Sequence, residues 1–378
     1  MKKRILALLL GTAMLLTACS SAPSSSSSAP SGDSSSSEPA QTAGIAKEDL
    51  KVGFVYIGKI NDEGYTQAQD KGRLALEEMG IETAYVEEVP ENADCEAAIR
   101  SLIDQGCNVI YSTSFGFMDY TVKVAEEFPE IYFGHCSGYK TAENLSTYFG
   151  KMYQARYLSG IVAGKKTANG KIGYVAAMPI PEVIRGINAF TLGVQSVNPE
   201  ATVEVVWTNT WYDPATEKQA AISLLDKGCD VIAQHQDTTA PQIAAEERGV
   251  FAIGYNSPTL SAAPKAYLTA PLFHWDVFIV DDVQKIIDGT WTSRSYWEGM
   301  DVGMVSLDEL SENCAEGTAK LVEEAKAKII SGELEPFAGP IKDQSGEVKV
   351  AEGSKMTDDE IWNMSWFVEG VIGTVPEN

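Results

Sequence analysis

Ten residues of this chain form a set that can hold a small molecule. Tyr65, Phe115, Trp211 and Trp275 offer aromatic faces. Asn61, Asp62, Asn209, Asp237 and Asn256 offer amide and carboxylate groups, and Ser114 offers a hydroxyl. The set holds no Lys or Arg, whereas a phosphate or carboxylate ligand needs fixed positive donors. A neutral, flat, hydrogen-bonding heterocycle suits it better: its faces stack on rings and its edge is read by amides and carboxylates. Asp237 and Asn256 are expected to read that edge, with Asn209 and Ser114 as further contacts. The loop from Asn61 ends at Gly64, which permits close backbone approach. Any one of these aromatics, taken alone, reads equally well as core. Four together do not, because they fall in loops at strand ends.

Those strand ends follow from an internal repeat at an offset of about 120 residues. KVGFVY from Lys51 matches KIGYVA from Lys171. SLIDQGCNVI from Ser101 matches SLLDKGCDVI from Ser223, and EIYFGHCSG ending at Gly138 matches GVFAIGYNS ending at Ser257. A repeat this long points to two similar domains rather than a solenoid. In the first copy, strands are predicted at 51–57, 83–89, 107–112 and 131–137, with helices at 65–79, 93–105 and 119–128. The second copy places strands near 171–177, 202–208, 229–234 and 250–255. Continuous apolar strands alternating with helices imply α/β lobes with parallel sheets covered on both faces. Ligands of such sheets bind beyond the carboxyl ends of the strands. In the first lobe those ends carry Asn61–Tyr65, Ser114–Gly116 and Ser137–Gly138. In the second they carry Met178–Pro179, Asn209–Trp211, His235–Asp237, Asn256–Ser257 and 269–275.

The flanking segments are of another kind. Lys2, Lys3 and Arg4 precede an apolar run from Ile5 to Leu16, followed by Leu16-Thr17-Ala18-Cys19. This is a secretory signal over 1–18, ending in a lipobox whose Cys19 is expected to carry the lipid. Its apolar run is shorter than the roughly 20 residues that span a bilayer. Residues 19–45 read as a tether dominated by Ser, Pro and Ala, unable to bury a core. The first lobe is expected over 46–167 plus about 275–295, and the second over 168–274 plus about 300–378. Crossings between them are expected near 166–170, 270–275 and 293–305. A helix is predicted over 314–331, and a packed tail from 337 that carries Trp362, Trp366 and Phe367.

The net charge is −24. The body has no basic cluster, which excludes a nucleic-acid polymer as partner. Six cysteines leave five after Cys19, too few to pair completely and none in metal spacing. Three scattered histidines give no metal site, and no cofactor is expected. No GxGxxG follows a strand, and neither GxxxxGK[ST] nor GxSxG occurs. Asp62 and Glu63 are adjacent as an acid–base pair would be, but read as solvated loop charges.

Four stretches carry a family likeness: YFGKMYQARYLSGIVAGKKT (148–167), PIPEVIRGINAFTLGVQSVNP (179–199), NTWYDPATEKQAAISLLDKGCDVI (209–232) and QDTTAPQIAAEERGVFAIGYNS (236–257). The body from about Val52 to Trp297 resembles the basic membrane protein (BMP) family of bacterial lipoproteins, the substrate-binding components of ABC importers. The resemblance implies a two-lobed periplasmic-binding-protein type I fold with the ligand cleft between the lobes, closing by a hinge. It implies a monomer outside the cytoplasm, anchored through Cys19, that serves a membrane ABC permease. It also implies a purine ligand held between two aromatics, at the positions of Tyr65 and Trp211. Family members that bind nucleosides hold the ribose with a carboxylate near the fourth strand and a lysine in the segment after the fifth strand of the second lobe. Here Cys136 and Ser137 stand near the first position. No lysine lies between Tyr267 and Val277, where His274 and Trp275 stand instead. A free base such as adenine, hypoxanthine, guanine or xanthine is therefore expected over a nucleoside. The alternatives are a sugar receptor of the same fold and a nucleoside-hydrolysing enzyme.

Overall fold

The computed structural model describes residues 44–376. The signal segment, Cys19 and all but the last two tether positions lie outside the described residues. Among the described residues no helix is long and apolar enough to cross a membrane.

The first sheet begins with β1 (Lys51–Val55), β2 (Glu82–Val86), β3 (Val109–Ser112), β4 (Tyr132–Cys136) and β5 (Leu145–Gly150). Between them run α1 (Tyr65–Glu78), α2 (Ala93–Asp104) and α3 (Met118–Glu127). Val52, Phe54 and Val55 are fully buried on both faces of β1, as an interior parallel strand requires. Asn92 caps α2 by accepting from the Asp94 amide at 2.7 Å.

The chain then forms α4 (Tyr153–Lys166), β6 (Lys171–Ala176), α5 (Pro181–Val197), β7 (Thr202–Trp207), α6 (Pro214–Asp226), β8 (Val231–His235), α7 (Ala240–Glu247), β9 (Phe251–Ile253) and β10 (Tyr267–Thr269). Strand order is β5-β4-β3-β1-β2 in the first sheet and β10-β9-β8-β6-β7 in the second, all parallel, so the sequence repeat is a repeat of topology.

One expected boundary moves. The sequence placed the first crossing at 166–170, with α4 in the first lobe. In the structure α4 packs along α5 and against β9 and β10, so the chain leaves the first sheet just after Gly150. The cause is close helix approach. A Cβ on Gly160 would lie 2.1 Å from the Phe190 carbonyl oxygen, and one on Gly193 would lie 2.0 Å from that of Tyr157.

Beyond β10, β11 (Pro271–Phe273) leads into α8 (Trp275–Ile287), which packs on α1 in the first lobe. There β12 (Ser295–Glu298) adds a parallel edge strand beside β5. β13 (Val305–Leu307) returns antiparallel to β11, and α9 (Thr318–Ile330) packs on α4. The hairpin β14 (Ile341–Lys342) and β15 (Val348–Val350), α10 (Asp358–Trp362) and β16 (Val371–Ile372) complete the fold. β16 joins the second sheet beside β7. Asn188 of α5, fully buried, fastens this tail by donating to the Trp366 carbonyl at 2.7 Å and accepting from the Val368 amide at 3.0 Å.

Candidate functional site

The carboxyl ends of both sheets meet at a small cavity of about 30 Å³. The first lobe lines it with Ile57, Tyr65, Ser114, Phe115, Ser137 and Phe149. The second lines it with Glu182, Trp211, His235, Asp237 and Tyr255. Five expected residues thus come together: Tyr65, Ser114, Phe115, Trp211 and Asp237. The lining holds two carboxylates and no Lys or Arg.

Tyr65 opens α1. Its hydroxyl donates to the Thr113 carbonyl and lies 3.2 Å from the Cys136 thiol, and it accepts from Gln69 Nε2 at 3.0 Å. The hydroxyl is therefore taken up inside the first lobe, and the ring is what remains for a ligand. Asp62 positions that ring. Its carboxylate accepts from the amides of Gly64 (2.8 Å), Thr66 (2.8 Å) and Gln67 (3.0 Å), groups that α1 leaves without helical partners. Burial raises the Asp62 pKa, and those three bonds pull against the rise.

Asp237 follows β8 and is 7% exposed. Asn256 Nδ2 donates to it at 3.3 Å, and among the described residues it forms no ion pair. Burial, with Asp62, Glu217 and Glu182 nearby, pushes its pKa well above the usual carboxylate range. The lobes touch at this point. A Cβ on Gly64 would fall 2.3 Å from the Asp237 carbonyl oxygen, and Ser257 Oγ donates to the Gly64 carbonyl at 3.2 Å.

Besides Asp62, four expected contacts do not line the cavity. Trp275 is fully buried behind Tyr65. It meets that ring edge-on at 5.9 Å and stacks on Phe273 at 4.2 Å, because its apolar bulk finds an aromatic core at the start of α8. Asn61 and Asn209 are exposed loop residues. Asn209 occupies a left-handed turn (φ 55°), a conformation Asn tolerates. Asn256 supports Asp237 from behind, and its Oδ1 is buried without a partner among the described residues.

Sequence reasoning singled out neither Glu182 nor Tyr255, and His235 only as part of a strand end. Glu182 lies in the first turn of α5, just after the Met178–Pro179 strand end. Its Oε1 is 3.2 Å from His235 Nε2, and the Tyr255 hydroxyl is 3.3 Å from the same nitrogen. Burial holds the His235 pKa down to about 4, so at neutral pH the Glu182 contact is a hydrogen bond to neutral imidazole, not an ion pair. Beneath Tyr255 lies Arg156, fully buried, its guanidinium 3.8 Å from the ring centroid and donating to the Gln234 carbonyl at 2.7 Å.

Residues 49–336 match the family model Bmp, described as ABC transporter substrate-binding protein PnrA-like. A purine-binding protein of Brucella abortus (strain 2308) is 44% identical over 335 residues, which cover 88% of this chain and 95% of that one. A protein of Haloferax volcanii named as a putative ABC transporter glucose-binding protein is 40% identical over 332 residues, 87% of this chain and 82% of that one. An ABC transporter solute-binding protein of Aeropyrum pernix K1 superposes with a TM-score of 0.68 at 22% identity, covering 77% of this chain and 94% of that structure, a likeness of fold. Such proteins bind a small molecule outside the cytoplasm for a membrane permease and are not enzymes. By the match along most of its length, the chain belongs to the Bmp family of ABC transporter substrate-binding proteins.

Proposed function

We propose that this protein captures a free purine base between Tyr65 of one lobe and Trp211 of the other and delivers it to an ABC permease. The carrying observation is the lining itself: a ring from each lobe, the carboxylates of Glu182 and Asp237, and no cation. Stacking holds a flat heterocycle, and the carboxylates accept from its N–H groups. The name of the Brucella relative supports the purine class. The lack of a lysine between Tyr267 and Val277, and the apolar packing of Trp275, favour a base over a nucleoside. In this reading the protein acts as a monomer held at the membrane through a lipid on Cys19.

A sugar is the second reading. The Haloferax relative is named for glucose, and rings with carboxylates also suit a pyranose. A thermal-shift panel of purine bases, nucleosides and hexoses separates the two, because a ligand at about 100 times its Kd adds roughly 2.7 kcal/mol of stability. Bases alone should raise the melting temperature. A shift with hexoses and none with bases would sink the purine reading.

A further inference from the structure

We propose that Glu182 and Tyr255 together read the N9–H and N3 edge of a free purine, so that the site rejects a base substituted at N9. This rests on the purine reading above and adds a specificity device to it.

The argument starts at one nitrogen. His235 Nε2 faces both Glu182 Oε1, at 3.2 Å, and the Tyr255 hydroxyl, at 3.3 Å. The imidazole is 3% exposed, and burial keeps it neutral. A neutral imidazole beside a carboxylate carries its proton on the nitrogen that faces the carboxylate, because the other tautomer sets a lone pair against a negative oxygen. Nε2 therefore donates to Glu182 and cannot accept from Tyr255. Among the described residues Nε2 is the one protein group within hydrogen-bond reach of the Tyr255 hydroxyl, so the phenolic proton is left for a ligand acceptor. The phenol cannot easily swing away, since Arg156 packs over its ring.

Glu182 is half satisfied. Its side chain is 16% exposed, and its second oxygen takes no hydrogen bond among the described residues. An acceptor and a donor thus lie beside one another on the cavity wall. A free purine offers the complement, an N–H at N9 next to a lone pair at N3. A nucleoside has no N–H there and would set a carbon substituent against a poorly solvated carboxylate, leaving its second oxygen unpaired.

The test is calorimetry on the full chain with adenine and hypoxanthine, each against its 9-methyl and 7-methyl derivatives. In the unaltered protein, 9-methylation should weaken binding by about 100-fold and 7-methylation by less than about tenfold, as loss of a buried charge-assisted hydrogen bond predicts. In Glu182→Ala, the penalty for 9-methylation should fall below about tenfold. Equal binding of a base and its 9-methyl derivative by the unaltered protein would overturn the proposal, as would an undiminished penalty in Glu182→Ala. A larger loss on 7-methylation than on 9-methylation would also overturn it. The comparison within the unaltered protein needs no variant to fold. Binding of no purine at all would instead remove the purine reading, a distinguishable result.

Discussion

The first lobe presents to the cavity two hydroxyls, two aromatic rings, an isoleucine and the ring of Tyr65. The second presents two carboxylates, an imidazole, a phenol and an indole. Both walls come from the same repeated topology, so the difference lies in where equivalent loops put their charge. After β1, the carboxylate of Asp62 is taken up by three amides at the start of α1. After β6, Pro181 occupies the first turn of α5 and has no amide to satisfy, and Glu182 faces the cavity. The histidines differ likewise. His135, in β4, is sealed in the first lobe against Ser112 at 2.8 Å, whereas His235, at the end of β8 and on a non-equivalent strand, lines the cavity. In the proposed reading, one lobe covers the ligand and the other recognises it.

Three measurements break or sharpen that contrast. The largest effect is expected at the charged wall. Asp237→Asn should weaken binding of the cognate base by about 2–3 kcal/mol, while Ser114→Ala and Ser137→Ala should each cost less than about 1 kcal/mol. Calorimetry that found the serines dominant would invert the assignment of the walls.

Stacking comes next. Trp211→Ala should lose about 1–3 kcal/mol of affinity. Tyr65→Phe keeps the ring and should leave affinity within about 0.5 kcal/mol, while lowering the stability of the ligand-free protein by about 1 kcal/mol through the Thr113 and Gln69 partners left behind. Denaturant melts and titrations on the same variant separate the two effects.

The third contrast is in pH. Burial lowers His135 to about 3 and His235 to about 4, both below the ordinary value near 6.5. The unfolded chain then binds more protons, so the stability these imidazoles contribute is complete above about pH 6.5 and lost as pH falls through about 4 for His235 and about 3 for His135. Asp282, raised to about 6 by burial, has the opposite sign, and its contribution fades as pH rises through 6. Histidine NMR should show both imidazoles neutral at pH 5.5, with ligand moving the titration of His235 and not that of His135.

The sheets were legible in the sequence because β-branched, apolar runs recur at a constant offset. Tyr65, Ser114, Phe115, Trp211 and Asp237 were legible because strand ends are where such lobes bind. The failures are specific. A glutamate in the first turn of a helix normally faces solvent and favours the helix dipole, so Glu182 carried no signal of a cavity. Trp275 sits at a strand end yet packs inward, and residue type alone does not show that direction. Helix α4 was assigned to the lobe it follows. Its true partner, α5, is selected by small residues at Gly160 and Gly193, whose role shows only when the two backbones meet.

The order in which strands enter the two sheets also governs how the chain can be made. The first sheet lacks β12 until residue 298 has been added, and the second lacks β16 until residue 372. On a ribosome, residues 153–269 emerge and can begin to fold while the first lobe still awaits α8 and its edge strand. No single cut in the polypeptide yields either lobe whole. A fragment ending at Gly150 would expose the flank of α1 that α8 covers and leave β5 as an open edge, inviting aggregation. The two halves of this receptor are separate in space and inseparable in synthesis.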